Sequence, residues 1–161
     1  MNRLAQILSP GDVLVDGDVA SKNRLFERAG LLFEERHGVA RTIVTDNLIA
    51  RERLGSTGLG QGVAIPHGRI KGLRDPVGAF LRLKTPVAFD SPDGRPVTLI
   101  FVLLVPEQAT EQHLEILSEL AQMFSDRELR QSLATLADAA ALHQAISAWQ
   151  PYVADQRRAA L

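Results

Sequence analysis

The chain has 161 residues, a formal net charge of −1 and no cysteine. Its length suits one domain with a proper hydrophobic core and argues against two full domains. The near-zero charge gives no electrostatic reason to expect nucleic acid or an anionic membrane, and the missing thiols exclude disulfides, thiolate zinc sites and phosphocysteine chemistry.

Leu4, Ile7 and Leu8 predict a short amphipathic helix closed by Ser9-Pro10-Gly11, and Val13-Leu14-Val15 predicts a short strand. Ser21 caps a longer helix with Leu25, Ala29, Leu32 and Phe33 on one face, stopped by Gly38. Thr45 or Asp46 is expected to cap a further helix through Leu48, Ile49 and Arg53. A glycine loop, Gly55 to Gly62, leads into Val63-Ala64-Ile65, too short for a helix and read as a buried strand. Pro66 cannot donate to a ladder and is expected to end that strand. His67 then sits just past it on a stiffened turn, with Gly68 permitting close backbone approach.

Val77 to Lys84 alternates toward its end, and Val97 to Val105 is almost continuously apolar, as in a central strand covered on both faces. Asp90 to Gly94 supplies a turn between them, preceded by an extra strand expected at Pro86 to Phe89. Thr110 is expected to cap a helix bearing Leu114, Leu117, Leu120, Ala121 and Phe124; two shorter helices follow, at Asp126 to Leu136 and Ala139 to Trp149. No transmembrane-length apolar run or signal-peptide core is present, so a cytoplasmic α/β domain is expected, a small mixed sheet covered by helices.

Four histidines carry the chemical interest. His37, beside a helix stop, and His143, mid-helix, read as solvated or packing residues. His113 lies in the first turn of its helix, where unpaired N–H groups and the macrodipole attract anions and favour neutral imidazole. From that single helix, a semi-buried structural role is favoured over a functional one. Gly55 and Gly60 have P-loop spacing, but Gln61 stands where the lysine should be, and Val63 breaks the dinucleotide fingerprint. Neither H-E-x-x-H nor G-x-S-x-G occurs. The remaining chemistry is a histidine nucleophile that accepts a phosphoryl group on nitrogen and passes it on. Backbone donors of the His67 turn and the hydroxyls of Ser56 and Thr57 are candidate cradles.

The window Glu52 to Gly68 resembles the phosphohistidine motif of phosphotransferase-system enzyme IIA proteins of the fructose–mannitol class. Glu52, Leu59, Gly60 and Val63-Ala64-Ile65-Pro66-His67-Gly68 fill the pattern without a gap. The resemblance implies a type-2 IIA fold, with residues 1–150 as one domain and 151–161 as a polar tail. It implies phosphorylation of His67 on Nε2, His113 as the second active-site histidine and Arg51 as the phosphate-side arginine. Thr57 is carried as a further phosphate-site support. No cofactor, and no metal ion, is required for transfer between nitrogen sites.

The run Arg51 to Gly58, with Gly62 to Arg69, is similar to the nitrogen-regulatory branch. That branch implies a phosphotransferase component charged by an HPr-like carrier (NPr), with outputs such as potassium-transport or sensor-kinase components and no direct membrane insertion. The alternatives are a sugar IIA passing phosphate to a IIB domain, and a non-catalytic binding module of the same fold.

Overall fold

The computed structural model describes residues 2–108 and 110–151. The first elements are α1 (Leu4–Ile7), a 3₁₀ turn (Pro10–Asp12), β1 (Val13–Gly17), α2 (Lys22–His37) and α3 (Arg41–Arg53). Four strands follow, the short β2 (Gly58–Gly60), β3 (Val63–Ala64) and β4 (His67–Ile70) and the long β5 (Val77–Val87). The chain then forms β6 (Val97–Pro106), α4 (Thr110–Ser125), α5 (Arg127–Thr135) and α6 (Ala139–Ala148). The six strands make one mixed sheet in the order β1-β5-β6-β3-β2, with β4 also on β6.

Strand β6 is central because it is apolar on both faces. Leu99, Phe101, Leu103 and Val105 enter a core with α4, α5 and α6, built around Ile116, Leu120, Met123, Leu133 and Ile146. Ile100, Val102 and Leu104 point the other way, into a core with Phe26 and Phe33 of α2 and Val44 and Leu48 of α3. Alternation along one strand thus feeds two helical layers on opposite sides of the sheet.

Strands β3 and β4 lie in line on the same neighbour, Val63 opposite Leu99 and His67 opposite Leu103. The expected strand end at Pro66 is therefore a correction: Pro66 interrupts the strand, and pairing resumes at His67 itself. The β6 ladder takes the Pro66 carbonyl, which accepts from Leu103 N at 2.9 Å, so the missing proline N–H is not needed there.

Other boundaries differ for local reasons. Helix α3 starts at Arg41, before Thr45, because Glu34 of α2 accepts from Arg41 N at 2.9 Å and supplies the cap from the previous helix. The Thr45 hydroxyl turns back to the Arg41 carbonyl instead. Pro86 and Val87 continue β5 across a register shift after Arg82, so no separate strand forms there. Thr110 is the first residue of α4, and the cap position, 109, lies outside the described residues, as does the expected polar tail from residue 152 onward. The buried face of α4 is His113, Ile116, Leu120, Met123 and Phe124, while Leu114 and Ala121 are exposed. Ser21 and Gly38 cap α2 as read, with Gly38 left-handed at φ 70°.

Two close approaches aim α3. Gly30 brings α2 against α3, since a Cβ there would lie 2.8 Å from the Arg41 carbonyl oxygen. Gly68 brings β4 against α3, its Cβ position 3.2 Å from Asn47 Cβ. Arg51 stands one helical turn after Asn47 on the same face, which carries it over the start of β4.

Candidate functional site

The break between β3 and β4 leaves a backbone carbonyl available where a continuous ladder would use it. Ile65 donates its N–H to the Thr57 carbonyl at 3.0 Å, and its own carbonyl oxygen sits 2.9 Å from His67 Nδ1. A carbonyl only accepts, so Nδ1 carries the hydrogen. On the far side of the ring, Arg51 Nε donates to His67 Nε2 at 3.2 Å. Arginine only donates, so Nε2 presents its lone pair. Both contacts fix one neutral tautomer. Burial lowers the His67 pKa below 6.5 and the Arg51 charge lowers it further, against the Ile65 carbonyl and the Glu52 carboxylate, which raise it.

His113 packs edge-on against His67, ring centroids 5.1 Å apart at 67°. It is only 7% exposed, and among the described residues neither ring nitrogen has a hydrogen-bond partner. Its pKa falls to about 4, mainly through burial, and further through the proximity of His67, whose protonation would repel a second charge, and through the charges of Arg69 and Arg51. His113 is therefore neutral at neutral pH. A buried imidazole without partners costs about 1–3 kcal/mol per unmet group, and it is kept where something else completes it.

Arg51 is anchored by its Nη1, which donates to the Gly55 carbonyl at 2.9 Å. The hydroxyls expected as direct donors are already committed. Ser56 Oγ donates to the Phe89 carbonyl and Thr57 Oγ1 to Glu52. Thr57 thus meets the site through its backbone carbonyl on Ile65, with its hydroxyl turned away to a carboxylate. Arg69 was not singled out from sequence. It follows His67 by two positions on β4, so strand periodicity puts both on one side, and its charge reaches His113. The signal was there only if His67 began a strand.

His37 and His143 are elsewhere. His37 Nε2 lies 2.8 Å from buried Asp12 Oδ2, and His143 Nε2 donates to the Leu8 carbonyl at 2.8 Å. Grooves of about 610 and 690 Å³, lined around His37 and between α2 and α3, contain neither His67 nor His113. Among the described residues no three metal-ligating side chains converge, and no helix is long and apolar enough to cross a membrane. Leu54, three residues after Arg51, Leu114, next to His113 in α4, and Leu59 of β2 are exposed.

The arrangement is a neutral imidazole with its lone pair fixed on Nε2 under a guanidinium, beside a second imidazole that has no hydrogen-bond partner among the described residues. It suits nucleophilic acceptance of an electrophile that brings its own anionic oxygens.

Residues 6–149 match the family model described as "Phosphoenolpyruvate-dependent sugar phosphotransferase system, EIIA 2". A nitrogen regulatory protein of Pseudomonas aeruginosa is 48% identical over 147 residues, 91% of this chain and 96% of that protein. The crystal structure of nitrogen regulatory protein IIA-Ntr from Neisseria meningitidis superposes with a TM-score of 0.86 at 51% identity, covering 90% of this chain and 99% of that one. IIA mannitol from Escherichia coli shares the fold at 18% identity, with a TM-score of 0.73 over 86% of this chain and 97% of its own.

Proposed function

The chain belongs to the EIIA type-2 family of the phosphoenolpyruvate-dependent phosphotransferase system, as a nitrogen-regulatory IIA-Ntr-type protein, and on that premise we propose that it is a phosphohistidine carrier. His67 Nε2 accepts the phosphoryl group from an HPr-like carrier (NPr). The phosphorylation state then governs binding to cytoplasmic regulatory targets, such as potassium-transport or sensor-kinase components.

One observation carries the reading: the Ile65 carbonyl and the Arg51 guanidinium together leave the lone pair of His67 on Nε2. In the step, that pair forms the new N–P bond while the N–P bond of the donor breaks and its electrons return to the donor nitrogen. No proton is exchanged with the ring. The hydrogen stays on Nδ1, donated to the Ile65 carbonyl, so the phosphorylated ring remains protonated and a good leaving group for onward transfer. Once Nε2 is bonded to phosphorus, Arg51 Nε has lost its acceptor and turns to a phosphoryl oxygen, as a charge-assisted donor. Neutral His113 supplies a further N–H without adding an ion pair that would hold the group too firmly.

The exposed Leu54 and Leu114, close in sequence to Arg51 and His113, offer apolar contact to a docking protein donor. The test is incubation with phosphoenolpyruvate, enzyme I and the carrier, followed by intact mass. One added phosphate, mapped to His67, is expected. No uptake, or uptake mapped to Ser56 or Thr57, overturns the assignment.

A further inference from the structure

Glu52 directly follows Arg51 on the last turn of α3, yet its carboxylate points inward with only 7% of the side chain exposed. A carboxylate that deep needs partners, and it has four contacts. It accepts from Thr57 Oγ1, from Thr57 N through both oxygens at 3.0 and 3.2 Å, and from Lys22 Nζ at 2.9 Å. Lys22, at the start of α2, also donates to the Phe89 carbonyl at 3.1 Å, the same oxygen that receives Ser56 Oγ.

These bonds form a continuous line to the reacting ring. Glu52 holds both the hydroxyl and the N–H of Thr57. The Thr57 carbonyl holds Ile65 N at 3.0 Å, and the Ile65 carbonyl holds His67 Nδ1 at 2.9 Å. The line starts at the residue next to Arg51, which holds the other ring nitrogen. Both sides of His67 are therefore referred to one carboxylate, through the chain on one side and through peptide adjacency on the other.

We infer that Glu52 is a positioning residue for phosphoryl transfer, acting through Thr57 and Ile65 to hold His67 with its hydrogen on Nδ1 and its lone pair on Nε2. Lys22 is the counter-charge that makes the buried carboxylate tolerable. The consequence is specific. Loosening the Glu52–Thr57 tie frees Thr57 from its position, lets the Ile65 carbonyl drift from Nδ1, and permits the hydrogen to occupy Nε2. A ring in that second tautomer has no lone pair where the donor phosphorus arrives. The charge on Glu52 is not required at the ring itself; its geometry is.

This inference rests on His67 being the acceptor, and the experiment separates the two. Wild type, Glu52→Gln, Thr57→Val and Thr57→Ser are compared in two measurements. One is the rate of phosphate uptake from the phosphorylated HPr-like carrier. The other is the long-range ¹H–¹⁵N spectrum of the His67 ring, which reads the tautomer without any phosphate present. Wild type is expected to show the Nδ1-protonated pattern. In Glu52→Gln and Thr57→Val the pattern should move toward mixed tautomers and uptake should slow tenfold or more, with Thr57→Ser restoring both. If Glu52→Gln does not fold, the Thr57 pair decides by the same two readings. An unchanged tautomer spectrum with uptake within twofold of wild type overturns the inference and leaves the acceptor assignment standing. A wild type that takes up no phosphate overturns the assignment, while the spectra still decide whether Glu52 sets the ring.

Discussion

Arg51 Nε lies 3.2 Å from Nε2 of His67, the atom proposed to accept the phosphoryl group. On that reading the guanidinium both marks the acceptor nitrogen and covers it. Its Nη1 is tethered to the Gly55 carbonyl, a fixed point about which the group would pivot toward an incoming phosphoryl oxygen.

Replacing Arg51 with Met should raise the His67 pKa, since the Arg51 charge is among the causes that lower it. The same change removes an oriented donor to the transferred group. Such a donor is worth about 10²–10³ in rate in a closed site, and an open relay should lie at or below the low end of that range. A histidine titration followed by NMR and a phosphate-uptake time course check the pair. An unmoved titration and an unmoved rate would show that the guanidinium is incidental.

His67→Ala should fold normally yet accept no phosphate, because the ring is half-buried, is absent from both apolar cores and meets the polar Ile65 carbonyl and Arg51 beside His113. In the wild type the linkage should be acid-labile and base-stable, as an N–P bond is. Full labelling of the variant by intact mass would refute the assignment.

His113 makes stability depend on pH in a predictable direction. Its folded pKa of about 4 lies below its ordinary 6.5, so between these values the unfolded chain binds more protons than the folded one. Stability then rises with pH through that window and falls as pH drops from 6.5 toward 4. The shift corresponds to roughly 3 kcal/mol at most, and His67, shifted the same way, adds to it. His113→Leu should flatten the slope, gain stability at acid pH relative to wild type, and slow phosphate transfer. Denaturant midpoints across the window read the first two; identical slopes in both proteins would refute the explanation.

Gly30→Ala should destabilise the fold by about 1–3 kcal/mol, as an overpacked contact does. The added carbon would stand 2.8 Å from the Arg41 carbonyl oxygen, which is backbone and cannot swing aside. Thermal or urea unfolding measures the loss. A variant as stable as wild type would mean that α2 and α3 separate without cost.

Regulation and sugar uptake make opposite demands on the phosphorylated protein. A new dianionic group on His67 would repel acidic surfaces and be costly to cover with apolar ones, so a regulatory protein should bind partners differently in its two forms. A sugar relay should instead lose its phosphate rapidly to the cysteine of a IIB domain. Pull-downs with both forms, run beside transfer assays with fructose- and mannitol-type IIB domains, distinguish them. Rapid loss to a IIB domain with identical pull-downs would replace the regulatory reading.

The long apolar elements were legible because their periodicity is their cause. Strand β6 and the buried face of α2 follow directly from runs such as Ile100 to Val105 and from Leu25, Ala29, Leu32 and Phe33. What was not legible depends on partners distant in sequence. No local signal says that Glu34 caps α3, or that β6 takes the Pro66 carbonyl and lets the strand resume at His67. The same limit applies at the site. His67 stood out through its neighbours Pro66 and Gly68, whereas the weight of His113 comes from its two unpartnered nitrogens beside His67, visible only when α4 and β4 are placed together. Thr57 was marked for its hydroxyl, and the structure uses its carbonyl.

The three key groups at this site come from both sides of the sheet: Arg51 from α3, whose apolar face joins one core, His113 from α4, whose apolar face joins the other, and His67 from a strand between them. On the proposed role of His67, competence to react is a property of the whole molecule and belongs to neither half. A copy in which either helical layer has come away still contains His67, but it no longer has both flanking groups beside it. Charging as proposed would then select for intact molecules, and a partner responding to the phosphorylated form would count properly assembled copies without any separate inspection.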